Sequence, residues 1–330
     1  MNRIKEIWSI LEEKASRPSG LDKVRYSGDT EADLYLGINY PSRNRLLLLR
    51  VAATDPSLPD NRQFKGLRVE KIYDTSRAGS IFLSLVLTDR NFSDIFDSII
   101  TDIAETVLSR DPVVASRSFS ERIEKWQSVF ERFASDGLSR EEQYGLYGEL
   151  FLLQKLIRKI LNHDAILKSW TGPHRSIHDF QYGHWSTEVK TSTGNRHQKI
   201  HISNERQLDT STTPELYLYH LSLDVRPMAA ETLNTLVDAI FHMIYDDAGL
   251  MRRFSSLLNL TGYFEHHRAL YEDHGYILRQ EMFYHVQGSF PRIEEKDIRN
   301  GVGEVTYTII SSLLSDYAIS EAVFLERLNF

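Results

Sequence analysis

The sequence predicts an α/β protein, α+β in its overall arrangement, with a sheet-rich N-terminal part followed by a mixed core. Three observations predict it. Short apolar runs bounded by turn residues fill residues 33–88, helical-period segments dominate 92–161, and strands alternate with helices from there onward. At 330 residues the chain is long enough for about two domains. Its 41% hydrophobic content is enough to build real cores and excludes disordered or collagen-like classes. No cysteine is present, which removes disulfides, thiolate metal sites and thiol nucleophiles. The N terminus lacks an apolar signal region and no long apolar run occurs, so a cytoplasmic chain without membrane contact is expected. A net charge of −7 argues against a passive nucleic-acid coat, though not against an enzyme that meets DNA through a local basic surface.

Taken in order, residues 3–14 carry Ile4, Ile7, Trp8 and Leu11 at helical spacing. Strands are expected at 33–40, 45–51, 67–73 and 81–88, then a helix over 92–110 with Asn91 as N-cap. Asp111-Pro112 breaks the pattern. Ser118 with Glu121 and Ser139 with Glu142 both have capping-box spacing, which predicts helices starting there. Strands are expected at 200–203 and 216–225, a helix at 231–245, strands near 276–286 and 304–310, and a terminal helix. The expected division is an N-terminal α+β domain over 1–112, a core over 113–230 and a C-terminal α/β extension over 231–330.

The chemistry concentrates between Ser139 and Thr191. Gly183-His184 suits a type II′ hairpin turn. That register pairs Tyr182 with Trp185 and Phe180 with Thr187, and opposes Asp179 to Glu188. Alternation sets Asp179, Glu188 and Lys190 on one face. Opposed carboxylates repel, and a hard divalent ion between them relieves the cost. A solvated hairpin rim would look the same in isolation. The preceding helix adds weight: Leu146, Leu150, Leu153, Ile157 and Ile160 form an apolar stripe, and Glu149 falls within it. A carboxylate there pairs with an arginine, lies at a rim, or joins the Asp179–Glu188 site. Gly145 and Gly148 would let that helix approach its neighbours closely.

A helix with Glu149, a strand with Asp179 and a strand with Glu188-Val189-Lys190, in that order, resembles the PD-(D/E)XK nuclease superfamily. The stretch from Gly145-Leu146-Tyr147-Gly148-Glu149-Leu150 through Glu188-Val189-Lys190-Thr191-Ser192 is similar to a bacterial family known by that motif. His178 stands where the motif has proline, the nearest being Pro173. The resemblance implies a restriction-endonuclease-like core, with a mixed central sheet flanked by helices. It implies that Asp179 and Glu188 ligate Mg2+ (or Mn2+), with the Val189 carbonyl and Glu149 completing the shell. Lys190 would orient or activate the attacking water. The implied activity is that of a magnesium-dependent DNA endonuclease in restriction or phage defence. The alternatives are a repair nuclease and a non-catalytic DNA-binding or assembly subunit.

Arg196, Lys199 and Arg206 form a basic stretch beside this motif and are candidate phosphate contacts, with Gln207 as a polar residue following the core strand. Histidine pairs such as His174/His178 lack zinc spacing. No P-loop occurs, so any coupling to ATP would need an ATPase or helicase partner. A methyltransferase partner and a homodimer fit a restriction role.

Overall fold

The computed structural model describes every residue except 1–2, 16, 29–30, 56–58, 65, 134–136, 195–198, 212, 228–230 and 329–330. The chain forms two compact units, Met1–Ser135 and Asp136–Phe330.

In the first unit, helix α1 (Arg3–Glu12) buries the expected Ile4, Ile7, Trp8 and Leu11. Strands β1 (Gly20–Arg25), β2 (Leu34–Tyr40), β3 (Arg45–Ala52), β4 (Arg62–Phe64), β5 (Leu67–Tyr73) and β6 (Ser80–Leu87) follow. They make an antiparallel sheet in the order β1-β2-β3-β6-β5-β4. Helix α2 (Ser93–Val107) starts one residue later than expected: residues 90–92 are a 3-10 turn and Phe92, not Asn91, is the N-cap. Helix α3 (Pro112–Phe133) runs unbroken through Ser118, so the expected capping box there does not form. Pro112 suits the first helical turn, where its missing N–H costs nothing, and the Ala115 N–H reaches the Asp111 carbonyl. The helix buries Phe119, Ile123 and Trp126 and packs on α2. The first unit therefore extends past residue 112.

In the second unit, helix α4 (Arg140–Lys159) opens on the expected capping box. Ser139 accepts from the Glu142 N–H, and the Glu142 carboxylate accepts from the Ser139 N–H. After α5 (His163–Ser169) come β7 (Phe180–Tyr182), β8 (Trp185–Thr193), β9 (Lys199–Ile202) and β10 (Glu215–Pro227). The remainder is α6 (Leu233–Met243), α7 (Ala248–Thr261), β11 (His274–His285), β12 (Tyr307–Ile310), β13 (Ala318–Ile319) and α8 (Glu321–Arg327). The central sheet is mixed, ordered β13-β11-β10-β8-β7, with β8 parallel to β10 and the other pairs antiparallel. One face of β10 joins a core of Ile200, Ile202, Leu208, Leu216, Leu218, Tyr284 and Ile309, so the two-stranded β12-β9 ribbon covers that side. Residues 231–330 belong to the same compact unit as this sheet. Among the described residues no helix is long and apolar enough to cross a membrane.

Candidate active site

The hairpin of β7 and β8 has the expected register, Tyr182 with Trp185 and Phe180 with Thr187. Gly183 takes φ +56° at its first turn position, a left-handed conformation that glycine adopts at no steric cost. Strand β7 begins only at Phe180, so Asp179 lies just outside the ladder and is not paired with Glu188 as the expected register had it. Its Oδ2 accepts the Val189 N–H at 2.8 Å, standing in for the carbonyl a longer strand would supply. The N–H and C=O of one strand residue point to the same side. The Val189 carbonyl therefore faces the edge where Asp179 sits.

Alternation along β8 puts Glu188 and Lys190 on a common face, where Lys190 Nζ lies 2.7 Å from Glu188 Oε1. Glu188 is 2% exposed, and its other oxygen, Oε2, is buried without a hydrogen-bond partner among the described residues. Helix α4 packs on β8. Gly148 makes this possible, since a methyl group there would overlap the Thr191 hydroxyl and press on Val189. Gly145 has open space around its Cα and plays no such part.

Glu149 enters from α4 and accepts the Trp170 indole N–H at 2.7 Å. Gly172 forms the wall between helix and hairpin. A Cβ at this position would lie 2.5 Å from Glu149 Oε2 and 3.3 Å from Asp179 Oδ1. The loop is fixed by Asp179 itself, whose carbonyl accepts from the Thr171 and Gly172 N–H groups at 2.8 Å each. Trp170 and Gly172 are thus supports of the site that lie outside the acidic motif. Their signal lay in the Trp-Thr-Gly-Pro turn directly ahead of the acidic strand.

Three carboxylates and one ammonium share this enclosure. Burial, then repulsion from Asp179, pushes Glu188 up to about 8. Burial and the Asp179 charge likewise hold Glu149 well above the usual carboxylate range. Asp179 is raised by burial against the pull of Lys190 and the Val189 N–H. Burial works against the Lys190 ammonium, but Glu188, Asp179 and Glu149 outweigh it and hold the side chain charged. Hard oxygen donors, a surplus of negative charge and an orphaned Glu188 oxygen suit a divalent cation. The side chains as placed, however, do not form a closed ligand group of three or more among the described residues.

A cleft of about 340 Å³ opens beside Lys190 and is also lined by Thr191, Ser192, Lys199, His201 and His220. Lys199 therefore shares a cavity with Lys190. Arg206 is exposed but engaged by Glu295. Gln207 Oε1 accepts the Ser203 N–H at 2.9 Å, so its side chain holds its own loop together. Arg196 lies outside the described residues.

The family described as "Putative PD-(D/E)XK family member, (DUF4420)" matches residues 4–312. No curated protein and no solved structure matches the chain.

Proposed function

The chain belongs to this PD-(D/E)XK family and has a mixed α/β fold of the restriction-endonuclease-like kind, and from that premise we propose that it is a magnesium-dependent DNA endonuclease acting in restriction or phage defence. The observation that carries the reading is the meeting of Glu149, Asp179, Glu188 and Lys190 around the unpartnered Glu188 oxygen. Asp179, Glu188, Glu149 and the Val189 carbonyl would hold Mg2+. When bound, the ion supplies positive charge against the developing phosphorane and lowers the pKa of a nearby water.

The protein groups divide the remaining work. Asp179 cannot swing freely, because its Oδ2 is tied to the Val189 N–H and its carbonyl to the Thr171–Gly172 turn. That leaves Oδ1 as the oxygen offered to the site. Lys190 stays protonated, so it orients the attacking water and stabilises negative charge on the phosphoryl oxygens rather than removing a proton. Glu149, held by Trp170, positions water on the helix side and accepts its proton. Lys199, on the cleft shared with Lys190, receives the adjoining backbone phosphate.

A nicking assay on supercoiled plasmid, with Mg2+ or EDTA and with methylated or unmethylated DNA, tests this. Mg2+-dependent conversion to open-circular or linear DNA is expected, and its loss in Asp179→Asn ties it to the site. Stable DNA binding with no cleavage under any divalent ion would replace the endonuclease by a binding subunit.

A further inference from the structure

The first unit holds a cavity that nothing in the proposed active site uses. It measures about 350 Å³ and is lined by Glu12, Ile38, Arg43, Asn44, Arg45, Leu87, Arg90 and Ser93. Three of these lining residues are arginines, against one carboxylate, Glu12. We propose that this cavity is a binding site for a phosphate group, held by the guanidinium groups of Arg43, Arg45 and Arg90.

Two of the three arginines are already fixed in place. Arg43 donates from Nη1 to the Lys14 carbonyl at 3.1 Å and from Nη2 to the Glu12 carbonyl at 2.9 Å, covering the C-terminal end of α1. Arg45 donates from Nε and Nη2 to Glu12 Oε1 at 2.9 and 2.7 Å, and its guanidinium lies 4.8 Å from the centre of the Trp8 ring. Long side chains held this way lose little further freedom when a ligand arrives.

The charge is not cancelled inside the molecule. Glu12 offsets Arg45, and Asp97 lies 4.0 Å from the same guanidinium. Arg43 makes its bonds to carbonyls rather than carboxylates and has no ion pair among the described residues. Arg90 is exposed, and its guanidinium has no hydrogen bond or ion pair among the described residues. A fork of N–H donors beside a surplus of positive charge matches phosphate oxygens, which accept several such bonds at once.

The backbone tells the same way. Arg43 sits at φ +55° although it is not glycine, a conformation non-glycine residues adopt rarely. Asn39 holds it there: the Asn39 carbonyl accepts the Arg43 N–H at 2.8 Å, and the Asn39 side chain accepts from the Asn44 N–H and the Ser42 hydroxyl. A turn secured this firmly, in a conformation that costs energy, is expected where a side chain must be aimed. The apolar lining residues Ile38 and Leu87 are almost wholly covered, so the cavity offers charge and donors rather than an apolar surface.

The phosphate can belong to a nucleic-acid backbone or to a free phosphate, and the experiment separates these sources. Isothermal titration calorimetry in EDTA, which stops any cleavage, measures inorganic phosphate against the full chain and its Arg90→Ala and Arg90→Glu variants. Anisotropy of a labelled DNA duplex is measured in parallel across a salt series. Arg90 is exposed, so both variants should fold, and unfolding curves check this. The proposal expects binding of one or both ligands, weakened at least tenfold by Arg90→Glu and less by Arg90→Ala. If the duplex is the ligand, Arg90→Ala lowers the slope of log K against log salt by about 1. If only inorganic phosphate responds, the site serves a free phosphate. Equal affinity in wild type and Arg90→Glu, or no binding of either ligand to the wild type, overturns the proposal. Neither readout involves Asp179 or Glu188, so a failure of the endonuclease reading leaves this result intact.

Discussion

Replacing Glu188 by glutamine keeps its shape and removes its charge, which makes stability against pH a direct probe of the site. In the unfolded chain the acid ionises near 4.5, whereas burial and then the Asp179 charge carry it to about 8 in the fold. Between those values the folded form binds more protons, so the wild type loses stability as pH rises through this window. At about 1.4 kcal/mol per decade the full difference comes to about 5 kcal/mol. Glutamine has no proton to lose, so Glu188→Gln lacks that slope. The attraction of Lys190 is already contained in that raised value, because the ion pair forms only as the acid ionises near 8, so its loss in the variant adds no separate slope. Urea unfolding in EDTA from pH 5 to 9 measures the difference. Fluorescence of Trp170 and Trp185 reports the second unit, while Trp8 and Trp126 report the first. The variant should gain on the wild type progressively up to about pH 8 and then hold its advantage. Parallel curves across the whole range would refute the reasoning, because Glu188 would then not be confined with other negative charge.

Asp179→Asn retains an acceptor for the Val189 N–H, so the fold should persist while plasmid cleavage is lost; duplex binding in Ca2+, followed by anisotropy, should be unchanged or tighter. Lys190→Ala should lower the single-turnover cleavage rate by about 10²-fold or more without abolishing Mg2+ binding by calorimetry. Gly172→Ala places a methyl 2.5 Å from Glu149 Oε2 and should cost roughly 1–3 kcal/mol in urea unfolding along with most of the cleavage rate. Gly145→Ala, with open space around it, should leave both close to wild type.

Much of the site was legible because it depends on local chemistry. The hairpin register followed from Gly183 and alternation, and the start of α4 from Ser139 and Glu142. The apolar stripe of α4 singled out Glu149 as a misplaced charge, and the structure sets it beside Asp179. What escaped depends on contacts distant in sequence. β1 and β4 are short, carry adjacent polar residues (Asp22 and Lys23, Arg62 and Gln63) and form the two edges of their sheet, so neither shows an apolar run. Ser118 and Glu121 have the spacing of a cap, yet Pro112 starts the helix earlier and packing carries it through. Trp170 and Gly172 become part of the site only because α4 passes over their loop. The polar side chain of Gln207 could not reveal that its partner is the neighbouring Ser203 N–H.

The parallel pairing of β8 with β10 bears on how the protein is made. A parallel neighbour cannot be reached by a tight turn, so Glu188 and Lys190 leave the ribosome well before residues 215–227 can line up beside them. β10 in turn is completed on its far side by β11, and Lys155 of α4 bonds to Glu321, 166 positions later. Pairings of such long sequence separation form late. The carboxylates therefore gain their shared enclosure only when nearly the whole second unit has been synthesised, and a nascent chain stalled before α6 would carry every residue of the motif without the architecture that brings them to bear.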